Sequence, residues 1–133
     1  MVIPSAIPPE VPHRRRHPRL RTNLPARLET VAEVLSINLL DISVSGARFE
    51  VVTFSHTPPS LALRQTVLLH WADFQKVGRL VWNARHVAGV CFDGHIAPDE
   101  LLATRIMQDE FARSGGQERL AREKARAWVA GLA

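Results

Sequence analysis

Arg15 and Arg19 stand as R-x-x-x-R inside a basic run, HRRRHPRLR (His13–Arg21), that contains no acid. Guanidinium groups make forked hydrogen bonds to phosphate and lie flat against planar rings, so arginines at this density point to an anionic partner. Further along comes Asp41-Ile42-Ser43-Val44-Ser45-Gly46, which reads D-x-S-x-x-G. Its carboxylate accepts hydrogen bonds where arginine can only donate, and its serine offers a small hydroxyl. Its glycine allows close backbone approach and a positive φ at a strand-to-strand turn. Arg14 directly precedes the first motif arginine, and Arg48 follows Gly46 on an outward-facing parity. The same residues have plainer uses: the arginines as a solvated basic arm, and Asp41, Ser43 and Gly46 as local turn chemistry.

These groups need a scaffold. The 133 residues suffice for one domain with its own core and an appendage, without disulfide or metal staples. Lys and Arg total 17 against 13 Asp and Glu, giving a net charge of +4, and the excess is local because the acids sit mainly after Asp73. Residues 1–12, MVIPSAIPPEVP, are proline-rich and expected to be disordered; they lack the charged start and continuous apolar stretch of a signal peptide or anchor. No apolar run approaches the ~20 residues that span a bilayer, so no membrane insertion is expected. Cys91 is the single cysteine, which excludes an intrachain disulfide and fits a reducing, cytoplasmic setting.

From Leu24 to Phe92 the pattern is that of short antiparallel strands. Leu24, Ala26 and Leu28 alternate with Pro25, Arg27 and Glu29; Val34–Ile42 is apolar on both parities, which suggests a bulge; Ala47, Phe49 and Val51 alternate again. A long loop is expected at FSHTPPS, before Val67, Leu69 and Trp71, then Leu80 and Trp82 with Gly78 on the same parity, and finally Val90 and Phe92. Strands in this number with short loops favour a closed or partly closed barrel. Beyond His95 the period becomes helical. Pro98, Asp99 and Glu100 suit a helix start, Leu102, Ala103, Ile106, Met107 and Phe111 form its expected apolar stripe, and Gly115-Gly116 a stop. A second helix is expected from Gln117 to Ala130, with Ala121, Ala125, Trp128, Val129 and Leu132 on one side.

In order, spacing and strand context the two motifs resemble those of the PilZ domain family. Gly78-Arg79-Leu80-Val81-Trp82 is similar to its penultimate strand, and Gly89-Val90-Cys91-Phe92 to its last. The resemblance covers His13–Ala97 and implies a six-stranded antiparallel β-barrel at 13–97, arm included, followed by C-terminal α-helices at 98–133. It also implies a bacterial cytoplasmic receptor for the second messenger cyclic di-GMP, bound on the barrel's outer surface with the arginine motif as a mobile arm. The implied ligand-binding residues are Arg15, Arg19, Asp41, Ser43 and Gly46, with Arg14 and Arg48 as further candidates. Such a ligand offers two phosphodiesters and two guanines; arginine can fork onto phosphate, pair with guanine O6 and N7 or stack on a base, and Asp41 can accept from guanine's Watson–Crick edge. An arginine at position 14 leans towards two stacked ligand molecules.

The expected role is an adaptor that relays the bound state to a protein effector, with no enzymatic activity and no cofactor. The six histidines lack metal-ligand spacing apart from His13 with His17, and no Ser-His-Asp set or glycine-rich phosphate loop is present. Trp71 and Trp82 are expected in the core. Two other readings stand beside this one. A PilZ-like scaffold would act through protein contacts without ligand, and a nucleic-acid-binding barrel would use the arm electrostatically, although no DNA or RNA partner is expected. The helical extension is expected to pack on the barrel, and its Trp128, Val129 and Leu132 stripe offers a seat for an effector or for a second copy in a homodimer.

Overall fold

The computed structural model describes residues 17–52 and 61–132, with side chains as far as Arg126. The segment 1–12, Arg14, Arg15, the FSHTPPS loop and the side chains of Trp128, Val129 and Leu132 lie outside the described residues. Six strands, β1 (Leu20–Glu29), β2 (Val34–Ile42), β3 (Gly46–Val51), β4 (Thr66–Trp71), β5 (Phe74–Ala84) and β6 (Val87–Phe92), pair antiparallel in the closed order β1-β2-β3-β6-β5-β4. Two helices follow, α1 (Pro98–Arg113) and α2 (Gly116–Leu132). Among the described residues no helix is long and apolar enough to cross a membrane.

Period-2 alternation builds the barrel's interior. Leu28, Ile37, Leu39, Phe49, Leu69 and Leu80 are all but fully buried, each from an inward parity, and Trp71 joins them with its ring 6.1 Å from that of Phe92. The hairpins β4–β5 and β5–β6 turn through two residues each, with Ala72 at φ 54° and Arg85 at φ 58° in the left-handed region.

Bulges interrupt three strands, and each changes what faces out. On β2 the register passes from Leu39↔Phe49 to Asp41↔Arg48, so Leu40 is the extra residue; the mixed parity of this strand thus has the expected cause. On β1 an extra residue falls between Arg21 and Leu24. On β5 the register passes from Leu80↔Val90 to Trp82↔Gly89, which makes Val81 the extra residue and turns Trp82 outward. Trp82 is therefore not a core residue, contrary to its parity in the sequence: it is 38% exposed, on the barrel's outer wall.

The helices seat on β1 and its neighbours through hydrogen bonds as much as through apolar contact. Thr104 is fully buried; its Oγ1 accepts from Trp71 Nε1 (2.9 Å) and donates to the Glu100 carbonyl (2.7 Å). Gln108 Oε1 accepts from the Asn23 backbone N–H (2.7 Å), which the β1 bulge frees from the ladder. On α1 Thr104 and Gln108 are buried and Leu101 and Phe111 half-buried against the core, whereas Leu102 and Ile106, expected on the apolar stripe with Phe111, are 58% and 52% exposed. Those donors had to be met where the helix lands, so its orientation follows them and not the most apolar arc. Among the described side chains of α2 Leu120 is buried, Lys124 is paired to Glu50 on β3, and Ala121 and Ala125 are exposed. Beneath, Asn38 Nδ2 donates to Asn23 Oδ1 (2.6 Å) and Glu50 Oε1 (3.3 Å), an outward-parity polar residue covered by the helical layer.

Candidate functional site

The end of β2 and the start of β3 meet the beginning of β1 at one rim of the barrel, and this junction gathers the second motif. Asp41 is 5% exposed. Its Oδ2 accepts from Arg48 Nε at 2.9 Å and its Oδ1 from Arg19 Nη1 at 3.4 Å. The pairing register dictates this clasp, since Asp41 stands opposite Arg48 across β2–β3 and opposite Arg21 across β1–β2, two residues from Arg19. A buried carboxylate requires such partners. Both arginines are partly exposed, and each guanidinium has five N–H donors, so most of their capacity is not used by any described residue.

The turn after Asp41 is held by its own serines. The Ser43 N–H donates to the Gly46 carbonyl (2.8 Å), Ser43 Oγ accepts from the Ser45 N–H (3.2 Å), and the two hydroxyls share a hydrogen bond (3.2 Å). The local turn chemistry read from the sequence is thus present. Gly46 does not take a positive φ; it is needed because a Cβ there would lie 2.4 Å from the Val90 carbonyl oxygen, where β3 approaches β6.

Arg19, Arg48, Ser43 and Gly46 border a cleft of about 530 Å³ on the outer wall, within the range that holds small molecules. Trp82, Cys91, His17 and His95 line it as well. The indole lies across Gly89, where a Cβ would fall 2.2 Å from its Nε1; glycine at this position gives the ring its bed. His17 Nδ1 is 3.3 Å from Ser45 Oγ, and its ring meets that of His95 edge to face, centroids 4.8 Å apart. The cleft thus joins two guanidinium groups, two imidazoles, small hydroxyls and one exposed aromatic face, a set suited to a planar base carrying negative charge.

Of the residues singled out in the sequence, Arg19, Asp41, Ser43, Gly46 and Arg48 come together here, with Asp41 beneath the cleft and not on its open surface. Arg14 and Arg15 lie outside the described residues. Trp82, His17, His95 and Gly89 were missed. The unbroken apolar run Leu80-Val81-Trp82 was the available sign of a bulge, whereas nothing in the spacing of His17 and His95 brings them together. Among the described residues no group of three His, Cys, Asp or Glu is gathered so as to hold a metal ion.

The family model described as PilZ domain matches residues 13–108. No curated protein matches the chain. Among solved structures, it is similar to the PilZ domain with c-di-GMP of YcgR from Escherichia coli. The identity is 20%, the match covers 85% of this chain and 98% of that one, and the TM-score is 0.47.

Proposed function

This chain belongs to the PilZ domain family, and from that premise we propose that it is a receptor for cyclic di-GMP that binds the messenger in the Arg19–Trp82 cleft and relays the bound state to a protein effector. The reading rests above all on Asp41, which is buried yet spends both oxygens on Arg19 and Arg48 and so presents two guanidinium groups at the lip of one cleft. Guanidinium groups held in advance lose less side-chain entropy when they take up a phosphate or a guanine edge.

In this reading Arg19 and Arg48 receive the phosphodiesters and guanine O6 and N7, and the outward face of Trp82 stacks on a base, a contact worth about 1–3 kcal/mol. Asp41 acts first as the positioner of both arginines; accepting from guanine's Watson–Crick edge would require one of those ion pairs to open. Arg15 lies two residues before His17, and covalent chain geometry alone limits that separation to about 7 Å, so the first motif arginine is within reach of the same ligand. Arg14 belongs to the same arm. The proposed organisation is an N-terminal segment (1–12), the arm and barrel (13–97) and a helical extension (98–133), working without cofactor or catalysis in the bacterial cytoplasm, where this messenger is found.

Isothermal titration with cyclic di-GMP, run beside GTP and cyclic di-AMP, tests this. Wild type is expected to bind cyclic di-GMP selectively, and Arg15→Ala and Asp41→Ala each to weaken binding by tenfold or more, about 1.4 kcal/mol. Absence of heat at tens of micromolar ligand would leave the ligand-free scaffold as the better account, and unchanged affinity in both variants would refute the assignment of the site to these residues.

A further inference from the structure

His17 and His95 arrive at the cleft from opposite directions. The first is at the root of the arm, just before β1, and the second is in the loop between β6 and α1. Their rings meet at an interplanar angle of 79°, and His17 is tied to Ser45, whose hydroxyl also bonds Ser43. Neither histidine has a structural task elsewhere among the described residues: His95 is exposed, and its neighbour Ile96 provides the buried contact of that loop. Both line the cleft beside Arg19 and Arg48.

We propose that His17 and His95 are direct contacts for a phosphodiester of the bound anion and that the pair takes up a proton when the ligand binds. The inference rests on the cyclic di-GMP reading above. Two rings in edge-to-face contact stack well when neutral, and two positive charges at that separation repel. A dianion seated against them supplies the compensating charge and favours the imidazolium form. Linkage then fixes the sign: the bound state holds more protons than the free state, so affinity is highest at low pH and falls as pH rises through the range in which histidine titrates.

Among the described residues, the charged and titratable groups that share the cleft with the pair include Arg19, just before β1, and Arg48 from β3, with Asp41 of β2 shared between them. Cys91 of β6 also lines the cleft, and the ammonium of Lys76 of β5 lies 3.7 Å from where a Gly94 Cβ would be. Of these residue types only histidine changes charge between about pH 5 and 8 in ordinary surroundings. The phosphodiesters and guanines of the ligand hold their charge across the same window.

The test is titration of the full chain with cyclic di-GMP between pH 5.5 and 8, in buffers of low and high ionisation enthalpy, on wild type and on the double variant His17→Gln with His95→Gln. Wild type is expected to bind about tenfold tighter at pH 5.5 than at pH 8, as linkage to the uptake of one proton over that range allows. Its heat at pH 6.5 is expected to depend on the buffer, and the double variant should bind no tighter at pH 5.5 than at pH 8. Wild-type binding with a flat pH profile and buffer-independent heat would overturn this inference while leaving the receptor assignment standing. A pH dependence that survives in the double variant would overturn it as well, by assigning the proton elsewhere. No binding at any pH would remove the receptor assignment and this inference together.

Discussion

Gly89→Ala asks whether the outward face of Trp82 is a binding surface. A Cβ on residue 89 would sit 2.2 Å from Trp82 Nε1, 2.6 Å from Cε2 and 2.9 Å from Cδ1, so the indole must leave its bed. At 38% exposed it has room to swing outward, and position 89 has no positive φ, so alanine strains neither backbone nor core. The strand itself gains slightly, because alanine in an extended segment is favoured over glycine by roughly 0.5–1 kcal/mol. If Trp82 stacks on a guanine, displacing it forfeits about 1–3 kcal/mol of binding, or about 5- to 150-fold in Kd. Calorimetric titration with cyclic di-GMP measures the loss, and a thermal melt of the free protein checks that stability is kept. Trp82→Ala should reproduce the affinity loss without the steric cause. Affinity within twofold of wild type in both variants would refute the stacking role, and a melting temperature that collapses in Gly89→Ala would refute the claim that the ring can move aside.

Two further outcomes probe the scaffold. Thr104→Val keeps the volume but removes the acceptor for Trp71 Nε1, and leaving that buried donor unpaired should cost about 1–3 kcal/mol in a urea melt; an unchanged midpoint would mean that water replaces the hydroxyl. Arg85→Gly should stabilise the protein by roughly 1 kcal/mol, since Arg85 holds φ 58° in a two-residue turn and glycine adopts that conformation freely; a lower midpoint in the same assay would show that the arginine side chain outweighs the strain.

The barrel was legible because its inner face is a simple alternation. Ala47, Phe49 and Val51, or Val67, Leu69 and Trp71, cannot all be buried unless each run is a strand with one face inward. Closure could be inferred from strand number, and the second motif's placement at a strand-to-strand turn from its glycine and serines. Trp82 was misread for one physical reason: period-2 counting from Gly78 and Leu80 carries it inward, and the extra residue at Val81 reverses it. The apolar stripe of α1 failed differently. Helical periodicity finds the most apolar arc, but the Trp71 indole and the bulged Asn23 amide needed acceptors, and Thr104 and Gln108 supply them at the expense of Leu102 and Ile106. Asp41 drew notice as part of D-x-S-x-x-G; that both its oxygens hold arginines depends on cross-strand register, which local sequence does not express.

A barrel closed by the β1–β4 pairing has a consequence for how this protein can acquire partners. Sheets with a free margin can be lengthened by a stranger's strand, which is both a common docking mode and a common route to fibres. Here every described strand already has two neighbours, so no strand of the sheet is left wholly unpaired on one side for that route. Recognition is left to side chains on the wall, the loops and the helices, and a messenger seated on that wall would become part of the surface that a neighbour reads.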